Sequence, residues 1–175
     1  MTSTTETIKL TSSDGQSFEF KPEYLMKANM LKQMLSDLGF SNEGTYPEEG
    51  IPLPSVEGDA LETILNWLVK HEADEPRTEE QRQMHRFNRN VAREDVALLD
   101  TCVPRRKLAA VVNAAYYLEM PDLTDTLIKY TANNLEGKAA AEMAKWLEIP
   151  LKSDQKKKEA EDGSEGSSAE KRERN

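Results

Sequence analysis

The sequence predicts an α+β fold, a small β-sheet with helices packed behind it. Two stretches carry that expectation. Near the N-terminus Ile8-Lys9-Leu10-Thr11 and Ser17-Phe18-Glu19-Phe20 each alternate apolar and polar residues around Ser13-Asp14-Gly15-Gln16. An Asp-Gly turn between alternating segments is a strong short-range hairpin signal. Between Leu108 and Leu135 the period changes from two to 3.6, and two amphipathic helices meet at the corner Leu118-Glu119-Met120-Pro121-Asp122.

Taken in order, the hairpin is followed by Pro22, which opens a short helix over Glu23 to Lys27. From Asn29 a second helix places Leu31, Met34, Leu35 and Leu38 on one face, and Gly39 stops it. Residues 41–50 carry loop chemistry throughout. Ile51-Pro52-Leu53-Pro54 reads as a short extended piece, and its alternate prolines suit a sheet edge. The next helix has Asp59 as N-cap with Glu62 at capping-box spacing. Leu61, Ile64, Leu65 and Leu68 form its stripe, and Trp67 lies off it. Glu72 to Asn90, rich in both charges and interrupted by Pro76, is expected to be a solvated, flexible insertion with a helical turn after Thr78. Arg93 to Leu99 predicts another short helix through Val96 and Leu99.

In the central pair, Leu108, Val111, Val112, Ala115 and Leu118 make one stripe about 100° wide. Pro121 ends that helix, and Asp122 is the expected N-cap of the next, whose inner side carries Leu123, Leu127, Tyr130 and Asn134. At 100° per residue Tyr117 points nearly opposite the stripe and Tyr116 sits on its flank. An aromatic ring so placed is either solvated or meets a partner. Gly137 fits the left-handed position after the second helix, and Ala139 to Leu147 predicts a last helix with Met143, Trp146 and Leu147 as its apolar residues. Residues 152–175 hold no apolar side chain larger than alanine and are expected to be disordered.

A chain of 175 residues suits one domain plus a tail. The formal net charge is −9, and residues 1–151 hold 16 basic against 25 acidic side chains, with no basic face standing out. An acidic body repels phosphates and anionic lipid, which argues against nucleic acid and membrane surfaces as partners. Met1 to Thr7 has no apolar signal core, and no apolar run approaches the length of a membrane span. The single cysteine, Cys102, excludes an internal disulfide and suits a reducing compartment. An intracellular, soluble protein is expected.

No constellation of residues suggests catalysis. His71 and His85 lack a metal-ligand partner at i+3 or i+4 and read as surface histidines. Cys102 reads as a small apolar residue, and Gly137-Lys138 lacks the preceding glycine of a phosphate loop. No catalytic, cofactor or metal residue is expected, and the protein is read as one that acts by binding.

Several segments, in order and spacing, resemble the S-phase kinase-associated protein (Skp) adaptor family of SCF-type cullin-RING ubiquitin ligases. They are Ile8-Lys9-Leu10 with Ser12-Ser13-Asp14-Gly15, Met34-Leu35-Ser36-Asp37-Leu38-Gly39, Ile51-Pro52-Leu53-Pro54-Ser55-Val56 and Leu65-Asn66-Trp67-Leu68-Val69-Lys70-His71. Ala114-Ala115-Tyr116-Tyr117-Leu118, Leu123, Ala132-Asn133 and Gly137-Lys138 continue it, so that the likeness spans residues 7–151. The resemblance implies a BTB/POZ fold: residues 7–71 as its first part, 72–90 as the insertion, 91–135 as its C-terminal helices and 136–151 as a helical extension. It implies a bridging adaptor, not an enzyme, with a cullin N-terminal domain and F-box proteins as partners, and a homodimer when free. Tyr116 and Tyr117 fall on cullin-contacting positions, and Asn134, Lys138, Met143, Trp146 and Leu147 on what remains of the F-box groove. Two departures stand out: the Trp-Asp segment before the central helix is missing, and a lysine-rich, Ser/Gly-rich tail replaces the family's acidic C-terminal helix. A self-assembling BTB scaffold and a cullin-binding decoy are the competing readings.

Overall fold

The computed structural model describes residues 4–5, 7–40, 46–153, 156 and 160. The chain divides into two compact units, one ending at Asn134 and one beginning at Leu135. In the first unit the Asp-Gly turn forms its hairpin. Strands β2 (Ile8–Thr11) and β3 (Ser17–Phe20) pair antiparallel, with Ile8 opposite Phe20 and Leu10 opposite Phe18. Alternation sends Ile8, Leu10 and Phe20 into the core and leaves Lys9 and Glu19 in water. Strand β5 (Ile51–Pro52) joins the free side of β2 in parallel, in the order β3-β2-β5, so Pro52 stands at a sheet edge while Pro54 falls in the turn beyond it. A second ladder pairs β1 (Thr4–Thr5) with β4 (Tyr46–Pro47). Tyr46 is buried, so residues 46–47 are strand where the sequence suggested loop. The core supplies a place for an aromatic ring that turn chemistry alone does not reveal.

Two helix starts depend on distant chain. Helix α1 (Asn29–Asp37) buries Leu31 and Leu35, and its first amides, on Asn29 and Met30, donate to the carbonyls of Glu119 and Leu118. Leu38 is exposed rather than on the inner face, because the helix ends at Asp37 and Gly39, at φ +87°, turns the chain away. Helix α2 (Gly58–Lys70) begins one residue before the expected cap, and the Asp59/Glu62 box does not form. The Gly58 amide instead donates to Asp14 Oδ1 at 2.9 Å, so the hairpin turn caps the helix across 44 residues of sequence.

Helix α2 lies along α5 (Arg105–Tyr117), and the faces they bury differ from the predicted stripes in one consistent way. In α2 the inner residues are Ala60, Leu61, Ile64, Trp67 and Leu68, and Trp67 is only 3% exposed. In α5 they are Leu108, Val111, Ala114 and Ala115, followed by Leu118. Leu65 and Val112, placed on the stripes by hydropathy, are only half-buried. Both arcs are rotated toward an alanine, Ala60 or Ala114, that a hydropathy-weighted stripe underrates.

Between them in sequence, the insertion carries α3 (Glu79–Met84), a helix with a genuine capping box. The Gln81 amide donates to Thr78 Oγ1 and the Thr78 amide to Gln81 Oε1. No residue of α3 is buried, yet the insertion is fastened to α6 (Pro121–Leu135). The Arg77 amide donates to Asp122 Oδ2 at 3.0 Å, Lys129 Nζ to the His85 carbonyl, and Asn133 Nδ2 to the Arg89 carbonyl. Asp122 is therefore not the cap of α6. Pro121 is itself the first helical residue, where its missing N–H costs nothing. Helix α4 (Arg93–Asp100) buries Leu99, and Tyr130 on α6 donates its hydroxyl to Asp100 Oδ1 at 2.6 Å. Burial pushes the Tyr130 hydroxyl up to about 12.

In the second unit Gly137 adopts φ +72°, and α7 (Ala140–Leu147) follows. Of the tail expected to be disordered, Lys152, Ser153, Lys156 and Ala160 have helical backbone, and the other residues of 154–175 lie outside the described residues.

Candidate protein-interaction site

The last turn of α5 presents both tyrosines, but their roles are exchanged. Tyr116 is 60% exposed while Tyr117 is half-buried. The rotation of the buried arc explains this. Measured at 100° per residue from the centre of Val111, Ala114, Ala115 and Leu118, Tyr116 falls roughly 150° away and Tyr117 roughly 110°. Beyond the tyrosines Glu119 takes a left-handed φ of +53°, which turns the chain into α6, and the carbonyls of Leu118 and Glu119 receive α1. The Tyr116 ring therefore stands on a corner held by three helices.

In the second unit Met143, Trp146 and Leu147 share one side of α7 at i, i+3, i+4 spacing. None of the three is fully buried, and Lys138 Nζ lies 5.8 Å from the Trp146 ring centroid, within cation–π range. Four of the five residues implied for F-box contact thus lie in this unit. Asn134 lies in the first, where its side-chain amide donates to the Tyr130 carbonyl of its own helix.

His71, read from sequence as an ordinary surface histidine, is not one. Its Nδ1 lies 2.6 Å from Asp74 Oδ2 and its Nε2 2.7 Å from Asp95 Oδ1. Asp95 is only 3% exposed, and the ring also packs on Trp67 with centroids 4.6 Å apart. The bond to Asp95, above all, raises the His71 pKa. Lys27 Nζ donates to the His71 carbonyl, which draws the N-terminal segment into the same knot. A cavity of about 110 Å³ adjoins it, lined by Lys27, Trp67, His71, Asp95, Asp122 and Lys129 among others. The partners of His71 lie three and 24 residues away, and only the fold joins them. Among the described residues no group of three or more His, Cys, Asp or Glu side chains could hold a metal ion, and no helix is long and apolar enough to cross a membrane. Cys102 is buried, and burial pushes its thiol up, away from nucleophilic reactivity.

Residues 6–73 match the family described as Skp1 family, tetramerisation domain. The E3 ubiquitin ligase complex SCF subunit sconC of Arthroderma benhamiae is 31% identical over 163 residues, which cover 90% of this chain and 94% of that relative. Its namesake in Arthroderma otae is 30% identical with the same coverage. A Skp1-related protein of Caenorhabditis elegans is 28% identical over 142 residues, 81% of this chain and 80% of its own. A small sheet with helices behind it, and likeness at 30–31% identity over nearly the whole length of two relatives, lead to one conclusion: the chain belongs to the Skp1 family and has its BTB-like fold.

Proposed function

We propose that the protein is the adaptor subunit of an SCF-type E3 ubiquitin ligase, bridging a cullin N-terminal domain to F-box substrate receptors without catalysing a step itself. The relatives' names support the complex. The observation that carries the bridging role is that two aromatic surfaces belong to different compact units. Tyr116 stands exposed on the first unit, and the Met143-Trp146-Leu147 stripe lies on the second. A bridge needs two faces that can be occupied at once, and interface energy concentrates in such aromatic anchors. The cytoplasm and nucleus are the compartments we assign, consistent with a lone buried thiol.

The test is a pair of binding titrations on folded variants, one against a cullin N-terminal domain and one against an F-box peptide. Tyr116→Lys with Tyr117→Lys should weaken cullin binding about thirtyfold or more, the loss of one anchor worth about 2 kcal/mol, and leave the F-box titration unchanged. Trp146→Ala should do the reverse. If either variant loses both partners while its circular dichroism stays native, the two-surface reading is wrong. A wild-type chain that binds cullin and no F-box would instead be a decoy, the outcome expected if the acidic C-terminal sequence that the lysine-rich tail replaces is indispensable.

A further inference from the structure

The insertion sorts its charges by position. Residues 72–80 hold five carboxylates and one arginine, whereas residues 81–93 hold four arginines and a histidine with no carboxylate. Summed over the insertion the two halves nearly cancel, which is why no basic face stood out in the sequence. In the structure the basic half is a fixed projection. The capping box orders its start, Arg82 bonds to Glu79 and to the Arg77 carbonyl, and Lys129 and Asn133 hold the carbonyls of His85 and Arg89. On this held backbone Met84 is 74% exposed and Phe87 89% exposed, three residues apart on a continuing helical turn. Arg86 stands 6.0 Å from the Phe87 ring centroid, and no ion pair occupies it among the described residues.

A solvated loop has no physical need of an ordered Phe-Met-Arg tip. Exposing a phenylalanine forgoes the favourable burial of a large apolar side chain. Fixing the backbone beneath it lowers the entropy cost of a later association. From these features we infer that residues 84–93 form a third docking surface, one that takes an acidic peptide segment of a partner protein with an apolar side chain among its carboxylates. Charge complementarity selects that occupant. Arg86 offers a planar fork to a carboxylate, Arg89 and Arg93 extend the positive field, and Phe87 with Met84 receives the apolar side chain. The rest of the chain is acidic and repels a long polyanion, while a short peptide confined to the tip meets only its basic end.

The experiment uses the full chain and fluorescence anisotropy. The probes are a labelled glutamate-rich peptide with a central Trp-Leu pair, its lysine-rich counterpart and an oligothymidylate of equal charge. The acidic peptide should bind saturably and more weakly as salt rises. Phe87→Ser and Arg86→Glu should each weaken it about tenfold or more, with Arg86→Lys intermediate. Both side chains are exposed, so thermal midpoints should not move. Four outcomes would overturn the assignment: no binding of the acidic peptide, equal binding of the lysine-rich one, tighter binding of the oligothymidylate, or a concentration-dependent dimer that Phe87→Ser dissolves. The last two would give the surface to nucleic acid or to a second copy of the chain.

Discussion

Replacing His71 with alanine should expose how much of the first unit hangs on one imidazole. The substitution removes the one neighbour that, among the described residues, bonds Asp95 Oδ1, at 2.7 Å, and leaves a carboxylate that is 3% exposed without that partner. A charge-assisted hydrogen bond to such a group contributes about 1.5–3 kcal/mol. Loss of the ring packed on Trp67 adds about 0.5–1.5 kcal/mol, so the expected cost is about 2–4.5 kcal/mol. For a unit of this size that corresponds to a fall in Tm of roughly 6–18 °C. The pH dependence gives a sharper signature. Because the folded-state pKa of His71 is raised, its charged form stabilises the fold fully below the ordinary histidine value of about 6.5. That contribution is lost as pH rises through the folded value above it. Thermal melts of wild type and His71→Ala from pH 5.5 to 9 should therefore show a gap that is widest on the acid side and narrows toward alkaline pH. A gap of less than about 1 kcal/mol, or one that does not change with pH, would mean that the clamp does not hold Asp95 as described.

The rotated arc of α5 gives a paired test. Val111→Asp buries a carboxylate at a site 2% exposed and should cost several kcal/mol, leaving a molten or insoluble chain, while Val112→Asp should melt cooperatively. The opposite order, read by circular dichroism, would refute the face assignment. Gly58→Ala places a Cβ 2.5 Å from Gln16 Nε2 and 2.9 Å from Asp14 Oδ1. The glutamine can swing aside, but the aspartate can move only by releasing the Gly58 amide. The variant should melt a few degrees lower, and adding Asp14→Ala should lower it little further. Fully additive losses would show that the two positions are uncoupled.

What the sequence made legible follows from the range of each interaction. The hairpin, the edge strand at Ile51-Pro52, the turn after Thr78 and the ends at Gly39 and Gly137 are written within a few residues of where they act. Most of the departures share one cause, namely that the deciding partner is far away in the chain. Asp59 looked like a cap, yet the cap is Asp14. His71 looked solvated, yet Asp95 closes on it. Trp67 and Tyr117 were misplaced because the inner face of each helix is set by its neighbour and by buried alanines, whose pull on a hydropathy stripe is weak. The tip at Met84, Arg86 and Phe87 escaped notice for a different reason: acidic residues upstream masked its charge in any average over the insertion.

The borrowed start of α1 bears on how this protein can be cut. Residues 6–73, the span that the family match covers, include the sheet, α1 and α2. They do not include Leu118 and Glu119, whose carbonyls receive the first amides of α1, nor α5, on which α2 lies. A fragment trimmed to the recognisable region would therefore carry an uncapped helix and a bare apolar flank into solution. It should aggregate or stay unfolded. Mixing it with a second piece that begins ahead of α4 should restore a folded complex, because each piece holds the other's missing boundary. The span that the family match covers and the span expected to fold on its own are, in this protein, different lengths.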